Sequence, residues 1–195
     1  MNLHEKALKG LLKGEKFTSL ALNQKDKHDR TVWHIAAKHG CLDAIPRDFL
    51  TAKALNRGDD FCSSVWHLAA RHGTLKDIPE HLFSEEVLNK RDNNKNTVWH
   101  EAALGHTLKN IPQHFFTKEA MNQKDSDGNT VWHFAAFNDG IKDVPIHLIA
   151  AHLLHENLTP PDIKYVNSII NRRIADEKIL SPHQKSCDLK AVRYV

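Results

Sequence analysis

Fifteen histidines in a chain of 195 residues invite a search for metal or acid–base chemistry. Four of them, His34, His67, His100 and His133, share one setting, Val-Trp-His-x-Ala-Ala. A histidine so placed could ligate a metal, act as a general base, or be a buried structural part. Spacing separates these roles, because Val-Trp-His begins at Val32, Val65, Val98 and Val131, and each step (65−32, 98−65, 131−98) is 33 residues. Packed helices of successive units lie roughly 10 Å apart, whereas zinc ligands converge to about 2 Å from one ion. A ladder of single histidines cannot share a metal, and we read these four as structural. The other histidines form no His-Glu-x-x-His pattern, and the pair His152/His155 has no evident third ligand. No Ser/His/Asp order, Gly-rich phosphate loop or paired carboxylates stand out. The sequence therefore names no catalytic residue, metal or cofactor, and we expect a protein that is not an enzyme.

The interval of 33 extends to other columns. Pro46, Pro79, Pro112 and Pro145 keep it, as do Asp26, Asp59, Asp92 and Asp125. Four tandem units thus run over residues 23–155. In each, Thr31, Ser64, Thr97 or Thr130 stands where a side-chain oxygen caps a helix. That helix must bury its Val-Trp-x-x-Ala-Ala stripe, which makes the tryptophans core residues rather than an exposed stacking row. Proline suits the first turn of a helix, so a second short helix is predicted to begin at Pro46. Ser84 and Thr117 look like caps of a further turn ending near Leu88 and Met121. Polar links such as Asn122–Thr130 are turn chemistry.

The segment Asp125–Gly140, DSDGNTVWHFAAFNDG, resembles the ankyrin repeat, whose unit also has the pattern D-x-x-G-x-T-P-L-H-x-A-A-x-x-G. The resemblance covers about two thirds of the chain. Val-Trp replaces Pro-Leu throughout, and Ile/Val-Pro interrupts the outer helix. The tip glycine survives only at Gly128, with Asp29, Cys62 and Lys95 elsewhere, so less regular hairpin tips are expected. The resemblance implies an all-α, ankyrin-type helical-hairpin solenoid of four repeats between capping helices. It also implies that the four histidines hydrogen-bond their capping Thr or Ser and nearby backbone.

A stack needs polar caps. Residues 1–22 read as a degenerate capping repeat, with Phe17 aligned under Leu50 and Leu22 under Leu55. Residues 156–195 read as a capping helix, apolar at Ile163, Val166, Ile169, Ile170 and Ile174, followed by a tail. The formal charge of +3 is too small to imply nucleic-acid binding by itself. No run approaches the roughly 20 apolar residues that span a bilayer, and no signal-peptide core opens the chain. Three cysteines in no paired frame point to a reducing, cytoplasmic compartment. Delivery into another cell by a signal-independent route stays open.

Ankyrin proteins meet partners at the hairpin tips and the exposed side of the first helix. Carried over by column, this gives His28, Arg30, Ile35, Lys38 and His39 from the first unit, and Phe61, Leu68, Arg71 and His72 from the second. The third supplies Asn94, Glu101 and Leu104, and the fourth Asp127, Phe134, Phe137 and Asn138. Large apolar groups within a polar rim fit a protein interface. The expected role is binding another protein, acting by occupancy as inhibitor, mask or adaptor. No membrane and no small-molecule substrate is implied. A free-standing array of this kind also suits a viral or bacterial factor aimed at a host or competitor protein. The second reading is nucleic-acid binding through the basic early repeats and the C-terminal helix.

Overall fold

The computed structural model of the chain describes residues 1–138 and 140–149. Residues 150–155 of the fourth unit and the expected C-terminal capping helix and tail, 156–195, lie outside the described residues. What is described is helical and contains no strand, in keeping with the all-α class. Among the described residues no helix is long and apolar enough to cross a membrane.

Each of the first three units contributes one longer helix and one short one, and the fourth contributes its longer helix among the described residues. The longer helices are α3 (Val32–His39), α5 (Val65–His72), α7 (Val98–Leu104) and α9 (Val131–Phe137). The short ones are α4 (Ala52–Leu55), α6 (Glu85–Leu88) and α8 (Lys118–Met121), preceded at the N-terminus by α1 (Leu3–Leu8) and α2 (Ser19–Leu22). Packing follows chain order: α1 lies on α3, α3 on α5, α5 on α7 and α7 on α9, and each short helix leans on the longer helix that follows it. The Ala pairs permit that approach, since Ala36, Ala37, Ala69, Ala70, Ala102 and Ala103 are fully buried. Trp33, Trp66, Trp99 and Trp132 are buried too, and the indoles of Trp66 and Trp99 meet Phe83 and Phe116 edge-on at 5.0 and 4.9 Å between ring centres.

The expected helix at Pro46 is corrected. Pro46 precedes a single 3-10 turn, Arg47–Phe49, and another such turn, Leu42–Ala44, comes before it. Proline forces the preceding residue out of the helical region. Ile45 is accordingly extended at φ −90°, ψ 128°, and Pro46 at φ −56°, ψ 137° is polyproline-like rather than helical. The same break recurs at Pro79 and Pro112. The caps at Ser84 and Thr117 do form, their hydroxyls accepting the N–H of Val87 and Ala120 at 3.2 and 3.1 Å.

The tips are also more regular than expected. Asp29, Cys62 and Lys95 adopt φ of 58°, 56° and 59°, the left-handed conformation that Gly128 takes at 86°. Each tip is held by its aspartate. Asp59 Oδ1 accepts the N–H of Phe61 at 2.9 Å and of Ser63 at 3.0 Å, and Asp26, Asp92 and Asp125 repeat the pattern. Successive tips are tied by backbone hydrogen bonds, from Asp60 N–H to His28 O, Asn93 N–H to Phe61 O and Ser126 N–H to Asn94 O.

The N-terminal segment is a shortened unit. His4 Nε2 donates to Arg30 O at 3.2 Å, as His67 does to Asn96 O, and Cys41 Sγ donates to Ala7 O as Thr74 Oγ1 does to Ala37 O. His4, Ala7, Gly10 and Leu12 thus correspond to His34, Ala37, Gly40 and Leu42 at an interval of 30 (34−4). From Phe17 onward the interval is 33 (50−17). The three missing residues fall where later units carry the Ile-Pro turn.

Candidate functional site

The four repeated histidines are framework. Thr31 N–H donates to His34 Nδ1 at 3.1 Å, and the Thr31 hydroxyl stands 2.9 Å from the same nitrogen. Since the N–H can only donate, Nδ1 carries a lone pair and the ring proton sits on Nε2, which donates to Arg57 O at 3.0 Å. The arrangement is a capping box in which His replaces the usual Glu or Gln. His67 and His100 make the same contacts to Ser64 and Thr97, and reach Lys90 O at 3.0 Å and Asn129 O at 3.4 Å. His34, His67 and His100 are buried, and burial holds all three rings below the usual histidine range despite the nearby Asp and carbonyl groups. His133 is hydrogen-bonded to Thr130 in the same manner but is exposed. Among the described residues no cluster of three or more His, Cys, Asp or Glu is placed to hold a metal.

Beside this ladder lies an open groove of ≈ 470 Å³, built from the first three units. His28, Arg30 and Lys38 line it from the first unit, Phe61, Leu68 and Arg71 from the second, and Asn94 and Glu101 from the third. These eight were predicted from the sequence. The groove also takes in Ser63 and Asn96, expected from the same tip column as Arg30, and Asp59, Asp92 and His67, which their periodicity marked as framework. Regular spacing gave no signal that a framework side chain would also show a face to the groove.

Its charges are partly spoken for. Arg30 pairs with Asp26 at 2.7 Å, and that carboxyl, bound also by its tip N–H groups, is lowered to about 2 although burial opposes it. Arg71 Nε lies 3.2 Å from Glu101 Oε2, an ion-pair distance, although Oε2 makes no well-directed hydrogen bond. Glu101 is only 5% exposed. Burial raises its carboxyl to about 7, with Arg71 pulling it down and Asp92 adding to the rise. Gly105, at the end of α7, lies against the Arg71 backbone, where a Cβ would stand 2.2 Å from Arg71 O.

Two of the predicted contact residues are corrected. Ile35 is buried at 1% exposure and cannot meet a partner, and Glu101 forms the groove wall from a buried position. Phe134, one unit on from Glu101 in the same column, is half-buried and lies 5.3 Å from the His100 ring. At Glu101 and Phe134 this column therefore leans on the preceding unit, while Leu68 keeps a face to the groove. His39, His72, Asp127 and Phe137 are exposed, while Leu104 and Asn138 are half-buried. Asn138 spends its amide on Phe134 O at 2.9 Å. All six lie outside the groove, Phe137 being 91% exposed.

No protein-family model matches the sequence, and no curated protein matches it significantly.

Proposed function

We propose that the chain is a variant ankyrin array, an ankyrin-type solenoid with its outer helix broken by Ile-Pro, and that it acts by binding another protein in the groove of its first three units. The fold assignment draws support from the 33-residue period, the repeated Trp-His helix and the consecutive packing of α3, α5, α7 and α9. The observation that carries the functional reading is the groove itself. Three successive tips and helix ends converge on it, and Phe61 stands at its rim 66% exposed. An exposed aromatic within a polar surround is the usual anchor of a protein contact. With no catalytic constellation to name, the action is occupancy: inhibition, masking or bridging. Nucleic-acid binding fits less well, since a phosphate backbone needs several free cations along its path, whereas Arg30 and Arg71 are already paired with Asp26 and Glu101.

Capture of a partner by the immobilised chain, compared with Phe61→Ala and Asn94→Ala, tests the reading. Both side chains are exposed, so melting behaviour should be unchanged while the partner is lost. A partner retained equally by both variants refutes the groove as the docking surface.

A further inference from the structure

Two cations of the groove, Lys38 and Arg71, close neighbouring helices, each followed by a histidine that lies outside it. Lys38 and His39 end α3, Arg71 and His72 end α5, and the two helices pack side by side. Lys38, Arg71 and His39 lie around His72. Burial first, and then those cations, holds its ring below the usual histidine range. The groove's tip aspartates, Asp59 and Asp92, each spend Oδ1 on two backbone N–H groups of their own tip. Arg71 is held differently from the rest. Its side chain is half exposed, its Nε is drawn to the buried Glu101, and among the described residues nothing hydrogen-bonds its two terminal nitrogens. Glu101 stands where the other units have Ile35, Leu68 and Phe134, so a carboxylate replaces hydrocarbon only behind Arg71.

We propose that Arg71, assisted by Lys38, receives an aspartate or glutamate side chain of the partner protein, while an aromatic or aliphatic neighbour of that residue packs on Phe61 and Leu68. This rests on the partner-binding reading given above. A guanidinium held through Nε still offers its terminal N–H groups as a fork to an incoming carboxylate. Fixing the long side chain beforehand lowers the ordering cost of binding. Burial also keeps Glu101 partly protonated at neutral pH, leaving part of the Arg71 charge for a second carboxylate.

The test is selection of a random peptide library displayed on phage against the full chain. Enriched peptides are then measured by fluorescence anisotropy against the parent protein, Arg71→Ala, Arg71→Lys, Lys38→Ala and Phe61→Ala. Expected are sequences with Asp or Glu beside an aromatic or aliphatic residue. Their affinity should fall roughly tenfold or more in Arg71→Ala, less in Lys38→Ala, and should not be fully kept by Arg71→Lys, which lacks the fork. Unchanged melting of each variant shows that the loss is local. Neutral or basic consensus peptides that still need Phe61 overturn the carboxylate assignment and leave the docking reading standing. Acidic peptides indifferent to Arg71, Lys38 and Phe61 overturn both, as does displacement of every peptide by a single-stranded 20-mer DNA at equal concentration. A library that enriches nothing above background overturns the carboxylate assignment.

Discussion

Glu101 allows a quantitative check on how this groove is built. Its carboxyl is raised from 4.5 to about 7 by burial, so the folded chain keeps a proton that the unfolded chain has already released. For an acid shifted this way, stability is highest below pH 4.5 and declines as pH rises toward 7. Above that the whole penalty is present, about 3 kcal/mol at ~1.36 kcal/mol per unit. Glu101→Gln keeps the shape of the protonated carboxyl and removes its titration. Urea unfolding of both proteins at about pH 5 and pH 8.5 should show a gap of under about 1 kcal/mol in acid. In base the variant should be more stable, the gap widening by roughly 2 kcal/mol over that range. Other titrating groups are common to both chains and cancel in the difference. A gap that stays constant with pH, or one that narrows as pH rises, would refute the claim that Glu101 is a buried carboxylate whose charged form is under-compensated by Arg71.

Three further outcomes follow from the framework. Trp99→Ala should cost about 3–5 kcal/mol by chemical denaturation; its N–H makes no hydrogen bond, so the loss is packing against Phe116 and its neighbours. Lys95→Gly should stabilise by about 1 kcal/mol, because Lys95 sits at φ 59° and the left-handed region strains a residue with a Cβ; an unchanged melting temperature would contradict that. The rings of His34, His67 and His100 are lowered below 6.5, so the unfolded chain takes up protons before they do. Stability from these rings is full above 6.5 and is lost as pH falls below it. Nitrogen-detected NMR at pH 7 should find all three as the Nε2–H tautomer.

Much of the scaffold was legible because it repeats. The indole core and the caps at Ser84 and Thr117 rest on chemistry that local spacing reveals, whereas the Thr/Ser–His pairing was implied by a family resemblance that the spacing permits. The two 3-10 turns were not legible as helices of any kind, since a three-residue turn has no periodicity to detect, though Ile45-Pro46 did carry the reason for the break. The shortened first unit was present in the letters. His4, Ala7, Gly10 and Leu12 keep an interval of 30 from the first full unit, which a search locked to 33 passes over. Ile35 and Glu101 were misplaced for a geometric reason. On a helix flanked by neighbours on both sides, only the last turn, Lys38-His39 or Arg71-His72, clears the packing. The position three residues earlier leans on the unit before it, as the Glu101–Arg71 and Phe134–His100 contacts demonstrate.

That same column bears on why a charge sits in the wall at all. Ile35, Leu68 and Phe134 fill the inter-unit position with hydrocarbon, which costs nothing to bury, whereas Glu101 destabilises the fold at neutral pH. Local rules of a fold tend to be broken where a site needs something that packing cannot provide. Here the thing provided is a fixed position for the Arg71 guanidinium. Glu101→Leu separates the two roles: at pH 8 it should raise stability by about 3 kcal/mol and also free Arg71 to sample other rotamers. If Glu101 is there to hold Arg71, affinity for an acidic peptide selected on the parent chain should fall as stability rises. If affinity rises along with stability, the carboxylate is a competitor for Arg71 rather than its support, and the groove binds its partner in spite of Glu101.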